Sequence, residues 1–199
     1  VSPVLGRVRD IVIARVFGTT DATDAFFLAN KIPNFMRRLF AEGAFNQAFV
    51  PILSEYRSQR PHAAVQALLN SVAASLGGFL LLLTVFVLIA APYVAVPIAY
   101  GFTDEPQKFA LFVEMLRVTF PYLLLISMTA LCSAILNSYG RFAVPALTPA
   151  LLNISLIFCS FLLAPYLRQP ELALAWAVLL AGFAQLFFQL PFLIRLKLL

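Results

Sequence analysis

The chain has 199 residues, of which 62% are hydrophobic and only 12% are charged, and its mean hydropathy is +0.92. A soluble domain carries about twice that charged fraction, so the composition excludes an ordinary soluble protein and predicts a polytopic membrane protein. The apolar stretches are rich in Leu, Phe and Ala and run past 20 residues. This favours membrane-spanning helices over barrel strands, which alternate over about ten residues. The predicted fold class is therefore all-α.

Six helical segments are predicted in chain order, and together they form a single transmembrane lobe over residues 1–199. They cover residues 1–17, 24–50, 65–98, 107–137, 143–165 and 172–194. Turn-forming or polar residues separate them, including a polar and basic loop predicted at residues 55–61. Prolines fall in four of the six helices, which suits broken helices around a polar cavity. Because the first residue is not Met and already lies in a helical segment, we interpret the chain as a fragment of a longer protein.

The charges between these segments predict the orientation of the chain. If successive helices alternate direction, one side of the membrane collects five basic residues and the other side only two, Lys108 and Arg168. Cytoplasmic loops carry an excess of Lys and Arg, so the five-residue side is predicted to be cytoplasmic. The five residues on that side are Arg57, Arg60, Arg141, Arg195 and Lys197.

The second segment carries charged residues at helical spacing within an apolar stretch. Its charged positions are 7, 7 and 4 residues apart, so an unbroken helix would align them on one face. An ionisable side chain at bilayer depth costs roughly 2.5–3.5 kcal/mol on insertion scales, so several on one face need a wet cavity or partners. Pro33 interrupts this segment. The aligned residues are Asp24, Lys31, Arg38 and Glu42.

Three arginines of the first two segments are candidates for an anion site. Arginine suits phosphate because its planar guanidinium donates two parallel hydrogen bonds and stays charged. Nearby acids would hold these arginines in position in the empty site, or form a gate whose ion pairs break on opening. The alternative is that Arg37 and Arg38 are charges that set topology near a helix end, and that Asp24 is an N-cap. The candidate arginines are Arg9, Arg37 and Arg38, and the acids are Asp10, Asp24 and Glu42.

The sequence gives little support for covalent catalysis or for a metal or cofactor site. Asn137, Asn153 and Gln189 could line a cavity, but a hydrogen bond from helix to helix is favoured for each. Cys132 and Cys159 lie alone in apolar runs and are interpreted as small buried hydrophobes. The sequence contains no nucleophile–base pair, no Gly-rich phosphate loop and no metal-ligand spacing. We therefore predict neither a cofactor, a metal, a nucleic-acid partner nor covalent catalysis.

Several runs of residues then carry a resemblance to a known family. The most specific is KIPNFMRRLFAEGAF at 31–45, continued by QAFVP at 47–51; others are VLGRVRD at 4–10, ARVFG at 14–18, TDAFF at 23–27, FPY at 120–122, AILN at 134–137 and LLNI at 151–154. In their order and spacing these runs resemble the MurJ (MviN) lipid II flippases. The resemblance covers essentially the whole chain.

The resemblance implies a multi-pass transporter of the bacterial inner membrane, not an enzyme, in the multidrug/oligosaccharidyl-lipid/polysaccharide exporter superfamily. Such proteins serve peptidoglycan and cell wall biogenesis by moving lipid II, the undecaprenyl-pyrophosphate-linked precursor, to the periplasmic leaflet by alternating access. The family has fourteen transmembrane helices in two six-helix lobes and a C-terminal pair. This chain resembles the N-terminal lobe alone, so its expected partners are lipid II, membrane lipids and the absent C-terminal lobe of the same protein.

The resemblance also implies roles for individual residues. Arg9, Arg37 and Arg38 match required cavity arginines, Asp24 matches a required acid, and Asp10 and Glu42 fall near a gate. Ser2 matches a serine of the same cavity and is assigned to substrate binding. The family usually has a further arginine directly after this serine, where the chain has Pro3. Either the cavity has one phosphate donor fewer, or the first residues do not follow the family pattern.

Three alternative functions stay open at this stage. A related exporter could move another lipid-linked oligosaccharide or a drug, although a drug exporter should show aromatic and acidic groups in place of clustered arginines. A membrane-embedded enzyme acting on polyprenyl pyrophosphates would need metal-binding acids or a positioned base near the arginines. A scaffold with the same fold and no transport activity is the third alternative.

Overall fold

A computed structural model describes residues 2–18, 25–29, 31, 35, 44–102 and 105–198. All regular structure in these residues is helical, which confirms the predicted all-α class. Residues 25–29 are helical, and two short 3-10 turns lie at Tyr100–Phe102 and Ala164–Tyr166. The seven longer helices are α1 (Ser2–Phe17), α2 (Ala44–Gln59), α3 (His62–Ile98), α4 (Pro106–Thr119), α5 (Tyr122–Ser138), α6 (Ala143–Leu162) and α7 (Leu172–Arg195).

Four stretches within the described residues are long and apolar enough to cross a membrane, as expected of a multi-pass membrane protein. They are α3, the stretch Pro106–Ser138 that contains α4 and α5, α6, and α7. The first two of the six predicted segments are not among these four stretches, and their bounds stay a prediction. Helix α1 comprises 16 residues in the described part of the chain. The second predicted segment, 24–50, lies largely outside the described residues.

Two predicted boundaries differ from the structure. The helix predicted over 107–137 is interrupted at Phe120 and Pro121, which lie in a turn between α4 and α5. Pro121 has no N–H group and cannot donate to the carbonyl of Arg117, so the α-helical ladder loses a bond at this point. Helix α2 continues to Gln59, so most of the loop predicted at 55–61 is helical. Its polar side chains are exposed while the backbone keeps its helical hydrogen bonds.

Helix α7 is central to the packing of the lobe. It packs most extensively against α6 and α5 and also contacts α4, whereas α1 packs on α6 and α2 packs on α5 and α3. Small side chains let α7 approach its neighbours: Ala173, Ala175 and Ala177 are fully buried. At Gly182 a Cβ atom would lie only 2.8 Å from Cδ2 of Tyr122. The backbones of α5 and α7 therefore come as close as glycine permits.

Contacts between helix ends bring the predicted cytoplasmic basic residues together. The guanidinium of Arg57 donates a hydrogen bond to the carbonyl of Ser138, and its Cζ lies 4.4 Å from the ring centroid of Tyr139. Gln66 Nε2 donates to the carbonyl of Lys197 at 2.6 Å. These contacts join the end of α2, the start of α3, the α5–α6 turn and the end of α7. We call this the basic end of the lobe. The other end, where α3 ends and α4 and α7 begin, is called the opposite end.

Candidate anion-binding site

The described part of the candidate site begins with Arg9 on α1. Arg9 lies near the middle of α1, and α1 packs against α6. Arg9 Nη1 donates a hydrogen bond of 3.1 Å to Oδ1 of Asn153 on α6. Asn153 lies about 15 Å from either end of α6, at 1.5 Å per residue. The contact therefore places the Arg9 guanidinium beside the middle of α6, a helix that is long and apolar enough to cross a membrane.

Asp10 holds the same guanidinium from the other side. Its Oδ1 accepts hydrogen bonds from Arg9 Nε at 2.9 Å and from Arg9 Nη2 at 2.6 Å. The side chain of Arg9 is 29% exposed and that of Asp10 is 65% exposed. A solvent-exposed ion pair contributes only about 0–1 kcal/mol to stability, so Asp10 orients Arg9 without locking it. The pair can open when another anion arrives.

The donor count of Arg9 leaves room for such an anion. A guanidinium has five N–H groups, and within the described residues three of them are used, two by Asp10 and one by Asn153. Asn153 is a neutral partner, so it holds the guanidinium without cancelling its charge. A partly exposed guanidinium with spare donors can bind a phosphate-like anion through charge-assisted hydrogen bonds.

Asn153 is the site residue to which the sequence pattern assigned no functional role. The expected helix-to-helix hydrogen bond is present, but its partner is the candidate anion-binding Arg9. Asn153 is 6% exposed, and its Nδ2 donates to the carbonyl of Pro149 at 3.3 Å. This second bond turns Oδ1 toward α1. The one sequence signal was an amide in the apolar run Leu151–Ile154.

Of the remaining predicted site residues, the structure describes only Ser2. Ser2 is the first residue of α1 and lies about two helical turns before Arg9. Lys31, from the aligned charged face, is helical and exposed. The described structure thus brings together Arg9, Asp10 and Asn153. The four other predicted residues, Asp24, Arg37, Arg38 and Glu42, lie outside the described residues.

Metal binding is not indicated in the described part of the chain. No group of three or more His, Cys, Asp or Glu residues there could hold a metal ion. The chemistry that Arg9, Asp10 and Asn153 can perform is anion recognition and exchange of ion-pair partners.

Comparison with known proteins identifies the family. The family described as lipid II flippase MurJ matches residues 13–199. A probable lipid II flippase MurJ of Buchnera aphidicola (subsp. Acyrthosiphon pisum) is 44% identical over 199 residues, which is 100% of this chain and 39% of the relative. Lipid II flippase MurJ of Burkholderia cenocepacia is 45% identical over 190 residues, covering 96% of this chain and 37% of the relative.

A solved structure agrees with these relatives. The inward closed conformation of lipid II flippase MurJ superposes with a TM-score of 0.75 and 30% identity, over 94% of this chain and 40% of that one. The chain thus spans about two fifths of the length of the proteins that it matches. On the family match and the identity to these relatives, the chain belongs to the lipid II flippase MurJ family.

Proposed function

We propose that this chain is the N-terminal lobe of a transporter that flips lipid II across the bacterial inner membrane by alternating access. The observation that carries the proposal is the contact of Arg9 with the middle of α6, which leaves its side chain partly exposed and two of its N–H groups unused by the described residues. The family supports the substrate, because the matched relatives are named lipid II flippases. The transporter would need the C-terminal lobe, and its substrate would be bound between the two lobes.

The proposed substrate group is the pyrophosphate of lipid II. Two spare N–H groups on Arg9 would bind phosphate oxygens, together with donors from Arg37 and Arg38 and the hydroxyl of Ser2. Asp10 orients Arg9 in the empty site and is displaced when the more highly charged pyrophosphate enters. Asn153 keeps its bond to Arg9 throughout, since a neutral amide does not compete with an anion. Asp24 and Glu42 would complete the gate with Asp10.

The transport step would be a rocking of the two lobes around this site, as in other transporters with a binding site near the membrane midplane. The polar head group would cross in a water-filled cavity while the prenyl tail stays in lipid. This avoids placing a charged group in hydrocarbon. A membrane potential of 100 mV is worth about 2.3 kcal/mol per charge moved, which is large enough to bias the cycle. The basic end would face the cytoplasm.

The experiment that tests the proposal is complementation of a flippase-depleted bacterium with the full-length parent protein. Arg9→Ala is expected to abolish growth, because it removes the charge beside the middle of α6 and leaves Asn153 without its partner. Arg9→Lys keeps the charge but cannot donate two parallel bonds, and it is expected to restore growth only partly. The matched control is Arg117→Ala, at an exposed arginine of α4. Full growth with Arg9→Ala at wild-type protein levels would refute the proposed site.

A further inference from the structure

A buried polar network joins α5, α6 and α7 away from the candidate site. Gln189 on α7 is fully buried, and its Nε2 donates to Thr148 Oγ1 on α6 at 2.8 Å and to Ser133 Oγ on α5 at 2.9 Å. Gln185, one turn earlier on α7, is 2% exposed, and its Nε2 donates to the carbonyl of Thr148 at 3.1 Å. Both glutamines therefore bind Thr148 of α6. Gln189 binds its side-chain hydroxyl, and Gln185 binds its backbone carbonyl.

Thr148 lies directly before Pro149, inside α6. Because proline lacks an N–H group, residue 149 cannot donate to the carbonyl of Pro145, and a helix can kink at such a position. The direction of the second half of α6 therefore depends on what fixes the backbone beside Pro149. In the structure, Gln185 binds the backbone carbonyl of Thr148 beside Pro149, and Gln189 binds the Thr148 hydroxyl.

The network continues from Pro149 to the candidate site. The carbonyl of Pro149 accepts a hydrogen bond from Asn153 Nδ2 at 3.3 Å, and Asn153 Oδ1 accepts from Arg9 Nη1 at 3.1 Å. A continuous path of contacts thus runs from α7, through the proline of α6, to the guanidinium on α1. A rotation of α6 at Pro149 would move the oxygen of Asn153 away from Arg9.

A contribution to the stability of the fold does not by itself explain why a glutamine occupies position 185. Its Oε1 is buried and accepts no hydrogen bond from the described residues. A buried amide oxygen without a donor loses its water and gains nothing in return, which destabilises the fold. A leucine of similar size would avoid this cost. What the glutamine adds is the bond from Nε2 to the backbone of Thr148.

We propose that Gln185 and Gln189 are positioning residues that hold α6 at Pro149 so that Asn153 presents its oxygen to Arg9. They touch neither substrate nor Arg9 and act through α6. The effect on transport rests on the proposed function, whereas the orientation of Arg9 can be measured independently of it.

The test measures how fast phenylglyoxal modifies Arg9 in the full-length parent protein in native membranes, by mass spectrometry of its peptides. Asn153→Ala frees the guanidinium, and Arg9 is expected to react about three- to tenfold faster. Gln185→Leu and Gln189→Leu are each expected to raise the rate in the same direction. Combined with Asn153→Ala, neither glutamine change should add to the rate, because both act through Asn153.

Two controls separate positioning from folding. Gln107→Leu makes the same change at an exposed position near the start of α4 and should leave the Arg9 rate unchanged. Arg168, which is exposed in the turn before α7, provides an internal reference for reagent access in every sample. Gln185→Leu also removes the unsatisfied oxygen, so its thermal midpoint should not fall while its Arg9 becomes more reactive. A variant that was merely unfolded would show the opposite thermal change.

Unchanged Arg9 reactivity in both glutamine variants would overturn the proposal. It would also be overturned if the glutamine effects added fully to that of Asn153→Ala, since they would then act by another route. If the reactivities follow the prediction while Arg9→Ala still supports growth, the proposed transport function fails and the positioning role stands.

Discussion

The two ends of the lobe are packed in different ways. Toward the opposite end, α7 presents the small residues Ala173, Ala175 and Ala177 to its neighbours, and this close packing continues to the middle of α7, where an added Cβ at Gly182 would lie 3.0 Å from Cβ of Leu125. Toward the basic end, leucines of α3, α5 and α7 leave an apolar cavity of about 210 Å³ between them. Its lining includes Leu69, Met128, Cys132 and Leu190. Small side chains let helix backbones approach, whereas large branched ones hold them apart and leave gaps.

This difference in packing indicates where the lobe can deform. Close-packed backbones cannot shift without collisions, so the opposite end should move as a rigid unit. The basic end has free volume beside α5 and is held across its surface by single contacts, such as that of Gln66 with Lys197. If the lobe adjusts during transport, the adjustment is expected at the basic end. Mutations of matched type at the two ends can break or sharpen this comparison.

The largest expected effect is that of Gly182→Ala at the inner limit of the close-packed end, near the middle of α7. The new Cβ would lie 2.8 Å from Cδ2 of Tyr122 and 3.0 Å from two atoms of Leu125, so α5 or α7 must move. Overpacking of this kind costs typically about 1–3 kcal/mol. Thermal unfolding of the full-length protein in detergent should show a clearly lower midpoint. An unchanged midpoint would mean that this end is as deformable as the other.

A glycine-to-alanine substitution toward the basic end, at Gly77, is expected to stabilise the protein. A Cβ at Gly77 on α3 would meet Met128 at 3.8 Å, which is ordinary van der Waals contact. Gly77→Ala should therefore stabilise by about 0.4–1 kcal/mol, because alanine restricts the unfolded chain and favours helix. Gly78→Ala is the control for propensity alone, since nothing lies within 4 Å of its added Cβ. A fall in the Gly77→Ala midpoint would show that α3 and α5 are packed as tightly as α5 and α7.

The smallest expected effect concerns the contact that holds α2 at the basic end. Arg57 Cζ lies 4.4 Å from the ring centroid of Tyr139, and Arg57 is exposed. Exposed cation–π contacts are worth about 0.5–1 kcal/mol. A double-mutant cycle of Arg57→Ala and Tyr139→Leu, followed by thermal unfolding, should return a coupling energy in that range. A coupling near zero would show that the hydrogen bond from Arg57 to the Ser138 carbonyl alone fixes α2.

Prolines show how far local sequence could predict the helices. Pro92 lies inside α3, Pro149 inside α6 and Pro191 inside α7, and these helices continue past them, whereas α3 ends at Ile98, one residue after Pro97. At Pro121, by contrast, the chain forms a turn between two helices. The residue type is the same in each case, so the outcome depends on the neighbours. Next to Pro121, Tyr122 is buried against α7 beside Gly182, a contact that no local pattern contains.

The candidate site shows the same limit. Arg9 could be named from the sequence because arginine suits phosphate and because the family resemblance matches it to a required cavity arginine. Its partner could not, because Asn153 lies 144 residues away and looks like any amide in an apolar helix. Gln189 was expected to bond to another helix, and it does so, but its contact with Thr148 beside Pro149 depends on where α6 and α7 meet.

The sequence by itself determined that the chain is an all-α, multi-pass membrane protein with a basic and a less basic side, because the hydropathy, length and flanking charges of each segment are local properties. Only the tertiary structure decided that Asn153 accepts a hydrogen bond from Arg9 and that two glutamines of α7 donate to Thr148, beside the proline of α6. These contacts join helices far apart in the chain, and their geometry follows from side-chain volumes at helix–helix interfaces, which no single segment encodes.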